Sequence, residues 1–422
     1  MQRRDNALLL AAFFAMTLAS QMVAVAVGWQ VYAIRRNPFD LGLIGLAEFV
    51  PLPLLALPAG QLADRISRRL VFAASLVLEA VVAALLLVVT LAGATRLWPF
   101  LVLAAATGVA AALGSPAARA LTPELVPSEL LAEALALRST IGQVAVVAGP
   151  AVGGLVFALS EELVYVLATV LLAGAFGCAL LLRGGAVAAL TGERAPGLAS
   201  LLAGIRFVRR TPVLLGAIVL DLFAVLFGGA IALLPVFART ILHVGPAGLG
   251  ILRSAPAVGA VLAGIALTRR PLRRKQGRTL LWVVAAFGVS MVVFGVSRSF
   301  TLSLVALAVS GFVDMISMNV RATIVGLAVP HELRGRVNAV EMVFISASNE
   351  LGAFESGAAA ALLGPVTAVV AGGVATIGIA AACTRLFRPL AEIDSLEELR
   401  PEAAQPSRIA ATKRTRSSSL VQ

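Results

Sequence analysis

Cysteine, histidine and charge are all scarce in this sequence. Two cysteines (Cys178, Cys383) and two histidines (His243, His331) form no cluster in the chain. Neither a disulfide framework nor a metal site is expected, and no cofactor is implied. No glycine loop followed by lysine is present to cradle a nucleotide phosphate, which argues against an ATP-driven pump. No nucleophile–base motif suggests an enzyme, so no catalytic residue is assigned. Charged residues make up 13% of the 422 positions and hydrophobic ones 59%. An ordinary soluble domain has about 25% and about 45–50%. With a mean hydropathy of +0.97, the chain carries more apolar surface than a globular core absorbs. It reads as an integral membrane protein.

What the sequence does have is a series of long apolar runs. A helix crossing a bilayer needs roughly 20 such residues, and twelve segments meet that length. The first six are approximately 7–33, 39–62, 70–93, 97–118, 138–159 and 162–183. Six more follow at about 212–238, 246–268, 279–297, 300–326, 339–362 and 365–387. The opening M-Q-R-R-D-N precedes an apolar run too long for a signal-peptide core, so the first span is expected to stay uncleaved. The expected fold is all-α, with twelve transmembrane helices.

Charge placement orients these spans. There are 34 Lys and Arg against 22 Asp and Glu, a net charge of +12. If the first terminus is cytoplasmic, about 28 of the 34 fall on cytoplasmic segments and about five on outer connections. That is a strong positive-inside bias. Both termini are expected in the cytoplasm, in a multi-pass protein of the cell (inner or plasma) membrane. The basic excess is then a topology signal, and nucleic acid is not an expected partner.

Domain organisation follows the same pattern. Residues 1–183 form one six-helix bundle and 212–388 a second. Between them, 184–211 is a cytoplasmic linker containing the amphipathic stretch L-A-S-L-L-A-G-I-R-F-V-R-R. The tail, 389–422, loses the apolar pattern and is expected to be disordered, its basic residues available to anionic headgroups.

The halves repeat one another. V-P-S-E-L-L-A-E-A-L-A (126–136) matches V-P-H-E-L-R-G-R-V-N-A (329–339), and Pro51, Cys178 and Arg183 match Pro256, Cys383 and Arg388. All these offsets lie between 203 and 205 residues. They indicate two six-helix halves of the same orientation, related by an axis along the membrane normal. The connection between spans two and three, G-Q-L-A-D-R-I-S-R-R (60–69), has a degraded copy, G-I-A-L-T-R-R-P-L-R-R (264–274), with Thr268 in place of Asp64. Arginines at the headgroup level suffice for a topology anchor. The acid is left over, and it points instead to a conformational latch formed by Gly60, Asp64, Arg65, Arg68 and Arg69.

With these features the chain resembles the major facilitator superfamily of secondary transporters. The loop at 60–69 looks like its signature cytoplasmic loop, and G-P-A-V-G-G (149–154) is similar to the antiporter motif of its exporters. Three further stretches resemble the bacterial enterobactin and drug exporters: Q-M-V-A-V-A-V-G-W-Q-V-Y (21–32), V-P-H-E-L-R-G-R-V-N-A-V (329–340) and I-S-A-S-N-E-L-G-A-F-E-S-G (345–357). The resemblance implies two pseudo-symmetric bundles, a cavity lined by spans one, four, seven and ten, and spans two and eleven facing each other. It also implies that Asp64 meets the cytoplasmic end of span eleven, near Asn338–Glu341. One departure stands out. The superfamily often embeds an arginine in span four, whereas this span has none until Arg119 at its cytoplasmic end.

Ionisable groups within spans are costly and usually functional. Glu48 and Arg253 occupy equivalent positions in the two halves, which suggests that each half contributes one charge to a polar centre. Desolvation favours the neutral form of a carboxylic acid, as proton loading near neutral pH requires. Glu48, Glu350, Asp221 and Asp314 are therefore the proton-coupling candidates, the first two foremost. Gln21, Trp29, Gln30, Arg253, Asn319 and Asn349 are cavity and substrate candidates, with Gln21, Asp221 and Asp314 the best placed to line it. Phe49, Phe223 and Phe227 offer stacking surface or plain packing, and the resemblance implies that Glu79 faces neighbouring helices, because span three usually packs outside in the superfamily. In span five, Gly149, Pro150, Gly153 and Gly154 permit close helix approach, and the resemblance makes that helix one that flexes as the halves close. The expected function is export of a small amphipathic molecule, drug-like or siderophore-like, by alternating access with proton antiport, by a protein acting as a monomer. Import of a small nutrient is the alternative, and a non-transporting scaffold or sensor a more distant one.

Overall fold

The computed structural model describes residues 2–55, 66–93, 95–183, 198–270, 272 and 275–392. Every regular element among these is helical. In the first half, α1 is Gln2–Arg35, α2 Pro38–Phe49, α3 Arg68–Leu91, α4 Trp98–Leu125, α5 Leu131–Leu159 and α6 Glu161–Leu181. The amphipathic stretch forms α7, Leu198–Arg210. The second half comprises α8 (Pro212–Gly228), α9 (Pro246–Arg269), α10 (Gln276–Val296), α11 (Phe300–Ala328), α12 (His331–Leu363) and α13 (Pro365–Leu386), followed by the short α14, Arg388–Glu392.

Local chemistry explains where these helices begin. Pro38, Pro212, Pro246 and Pro365 each open one, at a position where the missing N–H has no intrahelical partner to lose. Asn37 caps α2 by accepting a hydrogen bond from the Phe39 amide at 3.0 Å. Ser160 caps α6 through the Leu163 amide at 3.1 Å, with Glu161 and Glu162 in the first turn. Between α12 and α13 the chain turns at Gly364, whose φ of +86° favours glycine.

Eleven of the described helices are long and apolar enough to cross a membrane. The twelfth spanning helix, α12, has 33 residues and falls short in hydropathy because it carries Arg334, Arg336, Glu341, Asn349, Glu350 and Glu355. It starts at His331, eight residues before the expected 339, since its polar first turns pack against α7 rather than lipid. There a Cβ on Gly204 would lie 2.9 Å from the Arg336 carbonyl oxygen. Span seven also departs from expectation. Instead of running unbroken to 238, α8 ends at Gly228. A 3₁₀ turn (Ala230–Leu233), one α turn (Leu234–Val236) and a π turn (Phe237–Ile241) follow. Pro235 has no N–H to give to the residue four before it, so an α-helix cannot pass through unaltered.

Two seams join the halves, α5 with α9 and α2 with α12. Both close on glycine at the distal end of the bundle, opposite residue 2. A Cβ on Gly154 would stand 2.5 Å from the Pro246 carbonyl oxygen and 2.9 Å from Gly250 Cα. One on Gly357 would stand 2.9 Å from both Gly42 Cα and the Pro38 carbonyl oxygen. Buried side chains repeat this asymmetry between the ends. One apolar cluster includes Met22, Phe100, Leu234, Phe237, Leu249 and Phe294, and so draws on both halves. Towards the terminal end each half has its own cluster, around Leu9, Phe72 and Leu121 in one and Leu214, Leu280 and Ile324 in the other.

Candidate functional site

Between the halves lies a cavity of about 470 Å³, within the usual range for small-molecule sites, roughly 300–1,000 Å³. Spans one, four, seven and ten all contribute, through Gln21, Thr107, Val225 and Asp314. So do spans two, three, eight and eleven, through Glu48, Glu79, Arg253, Asn349 and Glu350. The remaining wall is largely apolar, with Phe100 and Phe287 on opposite halves. Of the cavity candidates named from the sequence, Gln21, Arg253 and Asn349 line it. So do three of the four carboxylates proposed for proton coupling.

The charges form a graded arrangement. Arg253 on α9 interacts electrostatically with Glu48 on α2 and Glu350 on α12, drawing both seams towards one centre. It makes no salt bridge with either among the described residues, so the trio is loosely coupled rather than locked. Glu79 on α3 interacts with Glu48 and with no cation among the described residues. Expected to face neighbouring helices, Glu79 instead turns into the cavity. Span three is apolar nearly all round, so periodicity alone gave it no preferred face; the spacing of Glu48 and Glu79 carries no separate signal.

Asp221 does not line the large cavity. It forms a buried ion pair with Arg321 of α11, in a small separate void shared with Glu341, Phe344 and Ser348. Asp314 connects the two regions, lining the large cavity while interacting with both Arg321 and Asp221. A buried charge without a partner costs several kcal/mol or more, which accounts for this pairing inside one bundle. Trp29 and Gln30 also lie away from the cavity. The guanidinium of Arg239 sits 5.3 Å over the Trp29 ring. Gln30 ties three helices together, donating to Thr90 and Glu161 and accepting from the Tyr165 hydroxyl at 2.6 Å. Asn319 is exposed, and Phe223 stacks on Phe227 at 6.2 Å, both outside the cavity wall.

The glycine–proline motif is a three-helix junction. A Cβ on Gly149 would lie 2.6 Å from Gln21 Cβ, and one on Gly153 2.7 Å from Met22 Cα, both on α1. Gly154 and the Pro150 carbonyl oxygen face Gly250 of α9. Of the latch residues, Gly60, Asp64 and Arg65 lie outside the described residues. Arg68 and Arg69 engage their own half, Arg68 pairing with Glu124 on α4 and Arg69 donating to the Leu180 carbonyl oxygen.

Twelve spanning helices in two bundles, enclosing a polar cavity where the bundles meet, define a multi-pass membrane transporter. The family described as transmembrane secretion effector matches residues 4–421. The chain belongs to this family of the major facilitator superfamily, whose members are transporters and not enzymes. The multidrug efflux pump Tap of Mycolicibacterium fortuitum is 29% identical over 369 residues, covering 83% of this chain and 88% of Tap. The enterobactin exporter EntS of Citrobacter koseri is 28% identical over 368 residues, covering 85% and 86%. Among solved structures, a mutant of the nucleoside transporter NupG aligns with a TM-score of 0.74 at 13% identity, over 91% of this chain and 100% of that one. That likeness concerns the fold.

Proposed function

We propose that this transporter exports a small amphipathic molecule, drug-like or siderophore-like, by alternating access coupled to proton antiport. The observation that carries the reading is the meeting of Glu48, Arg253 and Glu350 in one cavity at the junction of the halves. Carboxylates there stay close to an arginine while the halves are together, and proton uptake by either changes the charge across the seam. Kinship with an efflux pump and a siderophore exporter supports the outward direction. The shared distal core and the separate terminal-side cores suit a bundle that rocks about its seams. With both termini in the cytoplasm of a cell-membrane protein, that form faces inward.

Residues 1–183 and 212–388 are the two moving bundles, 184–211 the linker and 389–422 a basic tail near the headgroups. The loop of Gly60, Asp64, Arg65, Arg68 and Arg69 acts as the latch, and Gly149, Pro150, Gly153 and Gly154 as the point where span five flexes. The unit is a monomer, working with protons, substrate and lipid and without nucleic acid. To test the reading, the chain is expressed in an efflux-deficient host and export is recorded under an imposed pH gradient. Glu48→Gln, Glu350→Gln, Asp221→Asn and Asp314→Asn are compared with the unaltered protein. Loss of gradient-driven export in at least one supports it; undiminished export in all four sinks the proton coupling.

A further inference from the structure

We infer that the cavity selects lipophilic organic monocations, and that Glu79 is the residue that recognises the positive charge. This rests on the export reading and narrows its substrate. Four carboxylates, Glu48, Glu79, Asp314 and Glu350, line the cavity together with one guanidinium, Arg253. Each has a different claim on a cation. Asp314 has Arg321 within electrostatic range, and Arg253 serves Glu48 and Glu350. Glu79 has no hydrogen bond or ion pair among the described residues, and its charged neighbour is another acid, Glu48.

A carboxylate set deep in a spanning bundle without a counter-charge is costly, and a ligand that brings the missing cation removes that cost. The rest of the wall suits the body of such a ligand. Val82, Ala83 and Leu86 follow Glu79 along α3 in the cavity wall, and Phe100 and Phe287 line it from the two halves. Aromatic faces attract cations as well as apolar groups. An anionic ligand of the same shape would meet the surplus of acids and, among the described residues, have Arg253 alone in the cavity wall to receive it.

Tetraphenylphosphonium and tetraphenylborate have nearly the same shape and opposite charge, so they separate charge recognition from fit. Binding of each, and of a neutral triphenyl compound, is measured on the full chain in nanodiscs, with protein-free nanodiscs correcting for lipid uptake. The unaltered protein is expected to prefer the phosphonium over the neutral compound by at least about tenfold and to reject the borate. Glu79→Gln should remove that preference while changing neutral binding less than about twofold, and Glu79→Asp should keep most of it. Equal binding of the phosphonium and the borate overturns the inference. So does a Glu79→Gln protein that weakens all probes alike, or one that keeps the full preference. Charge-selective binding without efflux from cells leaves the site assigned and removes the export reading; efflux of neutral compounds without charge preference does the reverse.

Discussion

The two seams between the halves share a backbone plan and differ in chemistry. Gly154 on α5 and Gly357 on α12 are related by the internal repeat, as are Gly250 on α9 and Gly45 on α2. Each seam therefore brings a small-residue face of one half against a small-residue face of the other. Further along, the likeness ends. The α5–α9 seam continues through Pro150 and Gln143, whose amide reaches the Ala257 carbonyl oxygen at 3.5 Å. The α2–α12 seam runs into Glu48 and Glu350. A duplicated scaffold supplies two equivalent close approaches: the α2–α12 one brings carboxylates to the cavity, and the α5–α9 one, the dry seam in that sense, brings none among the described residues. Arg253 is the point where the dry seam lends its charge to the other.

The dry seam should break most severely. Gly154→Val places branched carbons where backbone atoms of Pro246 and Gly250 already stand, and backbone cannot rotate aside. Overpacking typically costs about 1–3 kcal/mol, and this site belongs at or above the top of that range. Thermal unfolding in detergent should fall by several degrees and export should be lost. Gly174→Val is the matched control, since a Cβ there meets nothing within 4 Å. Equal stability of the two variants would mean that the α5–α9 approach is not tight.

The next test exchanges chemistry between the seams. Arg253→Glu alone adds a further acid to a cavity already rich in them, and expression and export should both collapse. Because Glu48 and Arg253 occupy equivalent positions, pairing Arg253→Glu with Glu48→Arg restores opposite charges with their places reversed. Residues that share a charge network couple by about 0.5–3 kcal/mol in such double variants, so the double should be more stable than the Arg253→Glu single. If it is no better, the two groups do not sense each other through the cavity.

Much of this comparison was legible in the sequence. The repeat offset paired Glu48 with Arg253, and the apolar runs expected to start at 39, 212, 246 and 365 begin within one residue of those positions. Other features needed three dimensions. Asp221 and Arg321 are a hundred residues apart, and nothing in either helix announces that they pair. Glu79 sits in a span so uniformly apolar that no face stands out. Span seven stays hydrophobic through its break, so hydropathy passed over a change in backbone that Gly229 and Pro235 impose. Local chemistry thus reported where helices start and which positions correspond, while the direction of single polar side chains depended on their neighbours.

Within the ionisable seam, Glu350→Gln and Glu48→Gln should fold normally and lower gradient-driven export by about tenfold, equivalent to about 1.4 kcal/mol. The size of neither side chain changes, so the effect isolates the charge. An unchanged melting temperature together with reduced export separates coupling from folding. If both variants export normally, the α2–α12 seam is as passive as its dry counterpart.

The smallest effect is expected beyond the end of that seam. The loop that follows α2 keeps Asp64 where its copy has Thr268, although both copies keep arginines. In the superfamily this acid meets the cytoplasmic end of span eleven, and here the N-terminus of that helix is at His331, not at the expected Asn338–Glu341, which lie about two turns further in. A carboxylate near a helix N-terminus is stabilised by about 0.3–1 kcal/mol when exposed and by more when partly buried. Asp64→Asn should therefore insert and melt as the unaltered protein does, since the arginines that set topology remain, while export falls a few-fold. Asp64→Glu, which keeps the charge on a longer stem, should retain more export than the asparagine variant. Full export by Asp64→Asn would return the loop to an anchor and confine the functional asymmetry of the seams to the cavity.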